Sequence, residues 1–192
     1  MTDLRSAPVP PVAGNDHVRG RADGLVVIEY GDFECPYCAA LSSRLHRRDG
    51  LRVVFRHFPV RSSHPRAWAA TCAAEAAALQ GRFWEMHDSL FDDQARLEDP
   101  HLWRRASDLG LDVQRFDRDR RSEAVADRVR EDFRGGVRAG VVTTPTLFAN
   151  GQLYAGRIDV DAVALNDVPE LSDSGTQGQR PGAAATIASS SE

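Results

Sequence analysis

The chain has 192 residues, room for one domain with a substantial core but not for two of ordinary size. An apolar share of 42%, a charged share of 27% and a net charge of −4 describe an ordinary soluble protein and exclude the basic surface of a nucleic-acid binder. Three cysteines are too few for a disulfide scaffold, and no stretch reaches the ~18 apolar residues of a membrane span.

The first twenty residues, rich in Pro and Gly, carry no continuous apolar segment of the kind a secretory signal needs. Residues 1–20 are therefore expected to be mobile, and the protein to be cytoplasmic without membrane attachment. The fold is expected to start near Leu25, with a buried strand over 25–30, a helix over 36–48 and a second strand over 51–58 that puts Val53, Phe55 and His57 on one face. Gly50 marks the turn between that helix and the second strand. A strand, a helix and a strand at this spacing form a βαβ unit, so the two strands should run parallel with a right-handed crossover.

A helical block follows. His64-Pro65 opens an Ala-rich helix running to Gln80, with Ala69, Cys72, Ala73, Ala76 and Leu79 on its apolar stripe and Gly81 as its stop. Phe83, Met86, His87, Leu90 and Phe91 recur at helical spacing and form the buried face of the next helix. Asp99-Pro100 reads as the cap and first-turn proline of a helix ending at Gly110. A short helix over 112–121 and a longer one over 122–137 complete the block, the latter weakened near its end by Gly135 and Gly136. Asn150-Gly151 then joins strands over 146–149 and 152–155 into a hairpin, and 158–165 forms a last short helix. The domain is thus expected over 21–166, with a helical insertion at about 64–140 and a disordered low-complexity tail over 167–192.

Cys35-Pro36-Tyr37-Cys38 directly follows the first strand and opens the first helix. This places the first sulfur where unpaired N–H groups and the helix dipole favour a thiolate, and Pro36 needs no N–H partner in a first turn. Two chemistries fit a close cysteine pair: thiol–disulfide exchange, or half of a zinc site. Zinc takes four ligands, and the remaining Cys72 has no second close cysteine beside it, which favours the redox reading. Cys72 reads as a small buried hydrophobe, His57 and His87 as packed core histidines, Trp68, Trp84 and Trp103 as packing within the helical block, and Arg44, Arg47 and Arg48 as a solvated face. Gly31 and Asp32 lead into the active-site turn and are assigned no chemistry.

The order of elements, together with Phe33-Glu34-Cys35-Pro36-Tyr37-Cys38, Phe55-Arg56-His57-Phe58-Pro59, the 80–87 run and Val142-Thr143-Thr144-Pro145-Thr146, resembles the short bacterial DsbA-like proteins of the thioredoxin superfamily over about residues 15–165. The resemblance implies an α/β thioredoxin fold, a central mixed sheet flanked by helices with an all-helical insertion between its βαβ and ββα halves. It implies a thiol–disulfide oxidoreductase in which Cys35 is the nucleophile and Cys38 the resolving thiol. It further implies a cis Thr144-Pro145 bond that presents substrate main chain to the sulfurs, and a buried Glu29 that exchanges a proton with Cys38. Tyr37 departs from the Pro-His pair of the best-studied DsbA proteins and is similar to that of glutaredoxins, so the direction of electron flow stays open. The expected partners are protein disulfide or dithiol substrates and a redox partner, with the chain a monomer, no metal or organic cofactor, and glutathione or another thiol as a co-substrate. Two rivals share the scaffold: a redox-switched binding module like those attached to membrane transporters, and a glutathione-dependent kappa-type transferase or isomerase. The latter usually carries serine in place of the first cysteine.

Overall fold

In the computed structural model, which describes residues 7–165, a five-stranded mixed sheet carries seven helices among the described residues. The strands are β1 (His17–Gly20), β2 (Leu25–Gly31), β3 (Leu51–His57), β4 (Thr146–Ala149) and β5 (Gln152–Ala155). The helices are α1 (Pro36–His46), α2 (Ala67–Ala78), α3 (Phe83–Asp92), α4 (His101–Asp108), α5 (Val113–Asp119), α6 (Glu123–Arg138) and α7 (Val160–Leu165). The sheet order is β1-β3-β2-β4-β5, with β2 and β3 parallel and every other pair antiparallel. This is the expected architecture: a βαβ half, a helical insertion, and a hairpin with a final helix. The expectations for 1–6 and for the 167–192 tail lie outside the described residues.

Side-chain alternation divides the β2 and β3 residues between two faces. On one, Val27, Leu51, Val53 and Leu147 pack with Leu41 and Leu45 of α1 and with Val160 and Val163 of α7. Farther along the same face, Phe55 joins Phe33, Ala70, Ala73, Phe83, Met86 and Leu90 beneath α2 and α3. The opposite face, Ile28, Tyr30 and Val54, packs with Phe58 and Phe133, the latter from α6. Gly136 is what lets α6 approach so closely, because a Cβ there would lie 2.9 Å from the rings of both Phe58 and Tyr30. The helix runs past Gly135 and Gly136 to Arg138, so the glycines serve packing rather than a helix end.

Several sequence expectations are corrected. The fold begins before Leu25, since His17–Gly20 pairs with β3 as an edge strand. The buried Arg56 guanidinium anchors the approach to it, donating to both Asp16 carboxylate oxygens at 2.8–2.9 Å and to the Pro10 and Pro11 carbonyls at 2.8 and 2.9 Å. Asp99 does not cap α4: the Asp99-Pro100 bond is cis, Pro100 holds the N-cap position, and the Asp99 carboxylate accepts from Arg120 instead. Leu79 is exposed at the C-cap of α2 rather than on its buried stripe.

Candidate active site

β2, the central strand, ends at Gly31, and residues 32–35 carry the chain from its C-terminal end into α1. Cys35 is the N-cap of α1, with Pro36 in its first turn. Its carbonyl accepts from the Cys38 and Ala39 N–H groups at 3.1 and 3.3 Å, which closes the first turn and sets the two sulfurs side by side. Both cysteines are free thiols; Cys35 is 3% exposed and Cys38 fully buried. Tyr37 between them points outward, 71% exposed.

The sulfurs differ in acidity. The Cys35 thiol is lowered to about 6, chiefly because the Cys38 thiol hydrogen-bonds to it, with backbone N–H groups of the helix start adding to the effect against an opposing burial. The Cys38 thiol is pushed well above its ordinary value, first by burial and then because its proton is engaged with Cys35. At neutral pH the outer sulfur is thus a thiolate and the inner one a thiol.

Thr144-Pro145 lies across the helix start. The bond is cis, and the Thr144 carbonyl sits 3.5 Å from Cys35 Sγ. Glu29 lies beneath, on the sheet face under the sulfurs, fully buried and with no hydrogen-bond partner for Oε1 among the described residues. Burial raises its carboxyl to about 8, and it acts electrostatically on Cys38. Glu29, the Cys35-Pro36-Tyr37-Cys38 turn and the distant Thr144-Pro145 thus converge at the C-terminal end of the central strand β2.

A family model for the DSBA-like thioredoxin domain matches residues 26–166. The chain belongs to that family. Solved structures similar to this DSBA-like domain include a thioredoxin-like oxidoreductase from Silicibacter pomeroyi, with a TM-score of 0.70 at 24% identity over 80% of this chain and 92% of that one. BdbD from Bacillus subtilis matches at a TM-score of 0.70 and 19% identity, over 84% of this chain and 96% of the other. Curated relatives include proteins named Na(+)/H(+) antiporter NhaA 1 from Mycolicibacterium vanbaalenii, 47% identical over 83% of this chain, and NhaA from Herminiimonas arsenicoxydans, 43% identical over 92%. The chain spans only 28% and 29% of those two relatives' length, so the similarity concerns one part of each.

Three groups that sequence reasoning left without a role organise the active-site turn of the domain. Asp32 is fully buried: Oδ1 accepts from the Glu34 N–H, and Oδ2 from the Val60 N–H and His64 Nδ1, each at 2.8 Å. Its own N–H points at Cys38 Sγ from 3.5 Å. An Asp two residues before a backbone donor at a strand-to-helix turn is an Asx-turn signal, and it was present in the sequence. Gln94, from the segment after α3, donates to the carbonyls of Phe33 and Cys35 at 2.8 and 2.9 Å. Glu34 accepts from the Arg66 backbone and side chain at 2.7 and 2.8 Å. No local pattern announces the last two contacts, because each joins the turn to the helical insertion.

Near the start of the Thr144-Pro145 segment lies an open groove of about 670 Å³, lined by the apolar Phe58, Val60, Trp68, Phe133, Val141 and Val142 together with Arg61, Arg130 and Arg134. Val142 is 89% exposed only two residues before Thr144. His57 is packed and hydrogen-bonded as expected, but within a polar cluster: its Nε2 and that of His17 both lie within 2.8 Å of Glu75 Oε1.

Proposed function

We propose that this chain is a thiol–disulfide oxidoreductase that exchanges disulfides with protein or small dithiol substrates through Cys35 and Cys38. The carrying observation is the opposite perturbation of two adjacent sulfurs, one favoured as thiolate and one held as thiol, beside the Thr144 main chain. In the reducing direction the Cys35 thiolate attacks one sulfur of a substrate disulfide. A Cys35–substrate S–S bond forms, the substrate S–S bond breaks, and the second substrate sulfur leaves as a thiolate. Cys38 then loses its proton and attacks Cys35 Sγ, closing the internal disulfide and releasing the first substrate sulfur. The substrate has gained two electrons and the protein has lost them; the reverse sequence oxidises a dithiol.

Glu29 suits the inner proton transfer in either direction. With a carboxyl at about 8 it is mostly neutral at pH 7, ready to protonate Cys38 as a leaving group, while about a tenth is carboxylate able to accept the Cys38 proton. An extended substrate pairs with the Thr144 backbone beside Pro145 and lays a neighbouring apolar side chain against Val142 and Phe58. Such exchange needs no metal or organic cofactor, because the sulfurs carry the electrons, and glutathione serves as co-substrate. We place the protein as a monomer in a reducing, cytoplasmic setting, where glutathione returns the pair to the dithiol.

A second reading rests on the curated relatives: the domain works as a redox-switched module beside a membrane transporter, changing partner affinity as the pair oxidises. Turnover of insulin with reduced glutathione separates the two. Sustained reduction that is abolished by Cys35→Ser, with a mixed disulfide trapped on Cys38→Ala, supports the enzyme. Oxidation of the pair without turnover supports the module.

A further inference from the structure

On the same sheet face as the redox site, three side chains from three elements bring their donor atoms together: His17 of β1, His57 at the end of β3, and Glu75 of α2. Nε2 of His17 lies 2.7 Å and Nε2 of His57 2.8 Å from the same oxygen, Glu75 Oε1. The three ligand atoms all lie within 4.8 Å of one another. The two imidazole rings are inclined at 70°, so their nitrogens approach the carboxylate from different directions. His57 is fully buried, and His17 lies flat against Phe83 with centroids 3.4 Å apart. The Glu75 side chain is buried between the two imidazoles, its relative exposure 8%.

We infer that His17, His57 and Glu75 form a zinc-binding site that clips the edge strand β1 to β3 and α2. Two imidazoles and one carboxylate are a zinc donor set that leaves a fourth position for water. Calcium and magnesium require several more oxygen ligands than the cluster offers. Phe83 packs against both imidazoles, its ring centroid 3.4 Å from that of His17 and 5.9 Å from that of His57. On loading, each Nε2 gives up the proton it donates to Glu75 Oε1: a neutral imidazole shifts to the Nδ1–H tautomer, a protonated one releases that proton to solvent, and the metal replaces the N–H contacts that hold the three groups together in its absence. No electrons move, since zinc has no redox chemistry here. The ion would cross-link residues 17, 57 and 75, tying the outermost strand on that side of the sheet to the helical insertion. The site stands independently of whether Cys35 and Cys38 turn over.

The test is cobalt(II) titration of the oxidised full chain, in which the Cys35–Cys38 disulfide removes the thiol pair as competing ligands. The expected result is one cobalt per chain, with visible d–d bands, no thiolate charge-transfer band, and displacement by zinc. His17→Gln, on the partly exposed edge strand, is expected to weaken binding on the order of 100-fold. Glu75→Gln should do the same, whereas His87→Gln, a neighbouring imidazole outside the cluster, should leave it unchanged. Circular dichroism establishes that each variant is folded, and His17→Gln decides alone if Glu75→Gln is not. Failure of the wild type to bind cobalt or zinc below ~1 mM overturns the inference, as does binding unaffected by His17→Gln or a spectrum with thiolate ligation.

Discussion

Replacing Glu29 with glutamine removes a buried ionisable group while keeping its shape, and the structure sets how much stability that returns at each pH. The Glu29 carboxyl is raised by burial from an ordinary 4.5 to about 8, so the folded protein holds a proton that the unfolded chain releases. Below pH 4.5 both states are protonated and Glu29 imposes no penalty. As pH rises from 4.5 to 8 the folded state loses stability by roughly 1.4 kcal/mol per pH unit, and above 8 the penalty is constant. Over the interval from 4.5 to 7 this amounts to about 3 kcal/mol, a large part of the 5–15 kcal/mol that holds a typical domain together. Glutamine carries a buried amide whose own cost does not change with pH. The stability of Glu29→Gln relative to wild type should therefore climb steadily between pH 4.5 and 8. Urea unfolding of both proteins in dithiothreitol, followed by tryptophan fluorescence across pH 4–9, measures the difference; Cys35 is present in both, so its own titration largely cancels. A difference that stays flat over that range refutes the raised carboxyl, and with it the proton-exchange role proposed for Glu29.

Other consequences are equally direct. The reduction potential of the pair should fall by ~59 mV per pH unit below pH 6, where two protons accompany two electrons, and by ~30 mV per unit above it, where Cys35 is already a thiolate. Equilibration with dithiothreitol over pH 5–8 measures this, and an unbroken 59 mV slope contradicts the lowered Cys35 thiol. Asp16→Ala leaves the buried Arg56 guanidinium without its carboxylate, and is expected to destabilise the fold by roughly 3–5 kcal/mol in chemical unfolding. An unchanged unfolding midpoint would refute that anchor. Gly136→Ala should also destabilise, by ~1–3 kcal/mol of overpacking against Phe58 and Tyr30 less up to ~1 kcal/mol of gained helix propensity. A rise in melting temperature would show that α6 has room to move away.

The elements whose patterns are long and local were legible. The apolar run before Cys35, the helical spacing of Phe83 to Phe91, the long helix over about 122–137 and the Asn150-Gly151 hairpin all hold in the structure. β1 was missed because four residues, His-Val-Arg-Gly, carry too little pattern; the strand exists through pairing with β3 and through Arg56 gripping the segment before it. Asp99 misled because Pro100 takes the N-cap position of α4 and the Asp99 carboxylate pairs with Arg120 instead. Within the site, the cysteines and the Thr144-Pro145 pair stand out as local motifs. The clasp of Gln94 on the Cys35 carbonyl and the meeting of His17, His57 and Glu75 depend on how the insertion packs on the sheet, which no local spacing encodes.

The most direct test of the central claim is equilibration of the full chain across ratios of reduced to oxidised glutathione, followed by acid quench, alkylation and intact mass. Disulfide exchange by this pair predicts that Cys35 and Cys38 lose their thiols together in one two-electron transition, while buried Cys72, its thiol raised to about 11, keeps its own. Contradiction would be two thiols that persist at every ratio, or a Cys35 that stops as a single mixed disulfide with glutathione and never closes onto Cys38.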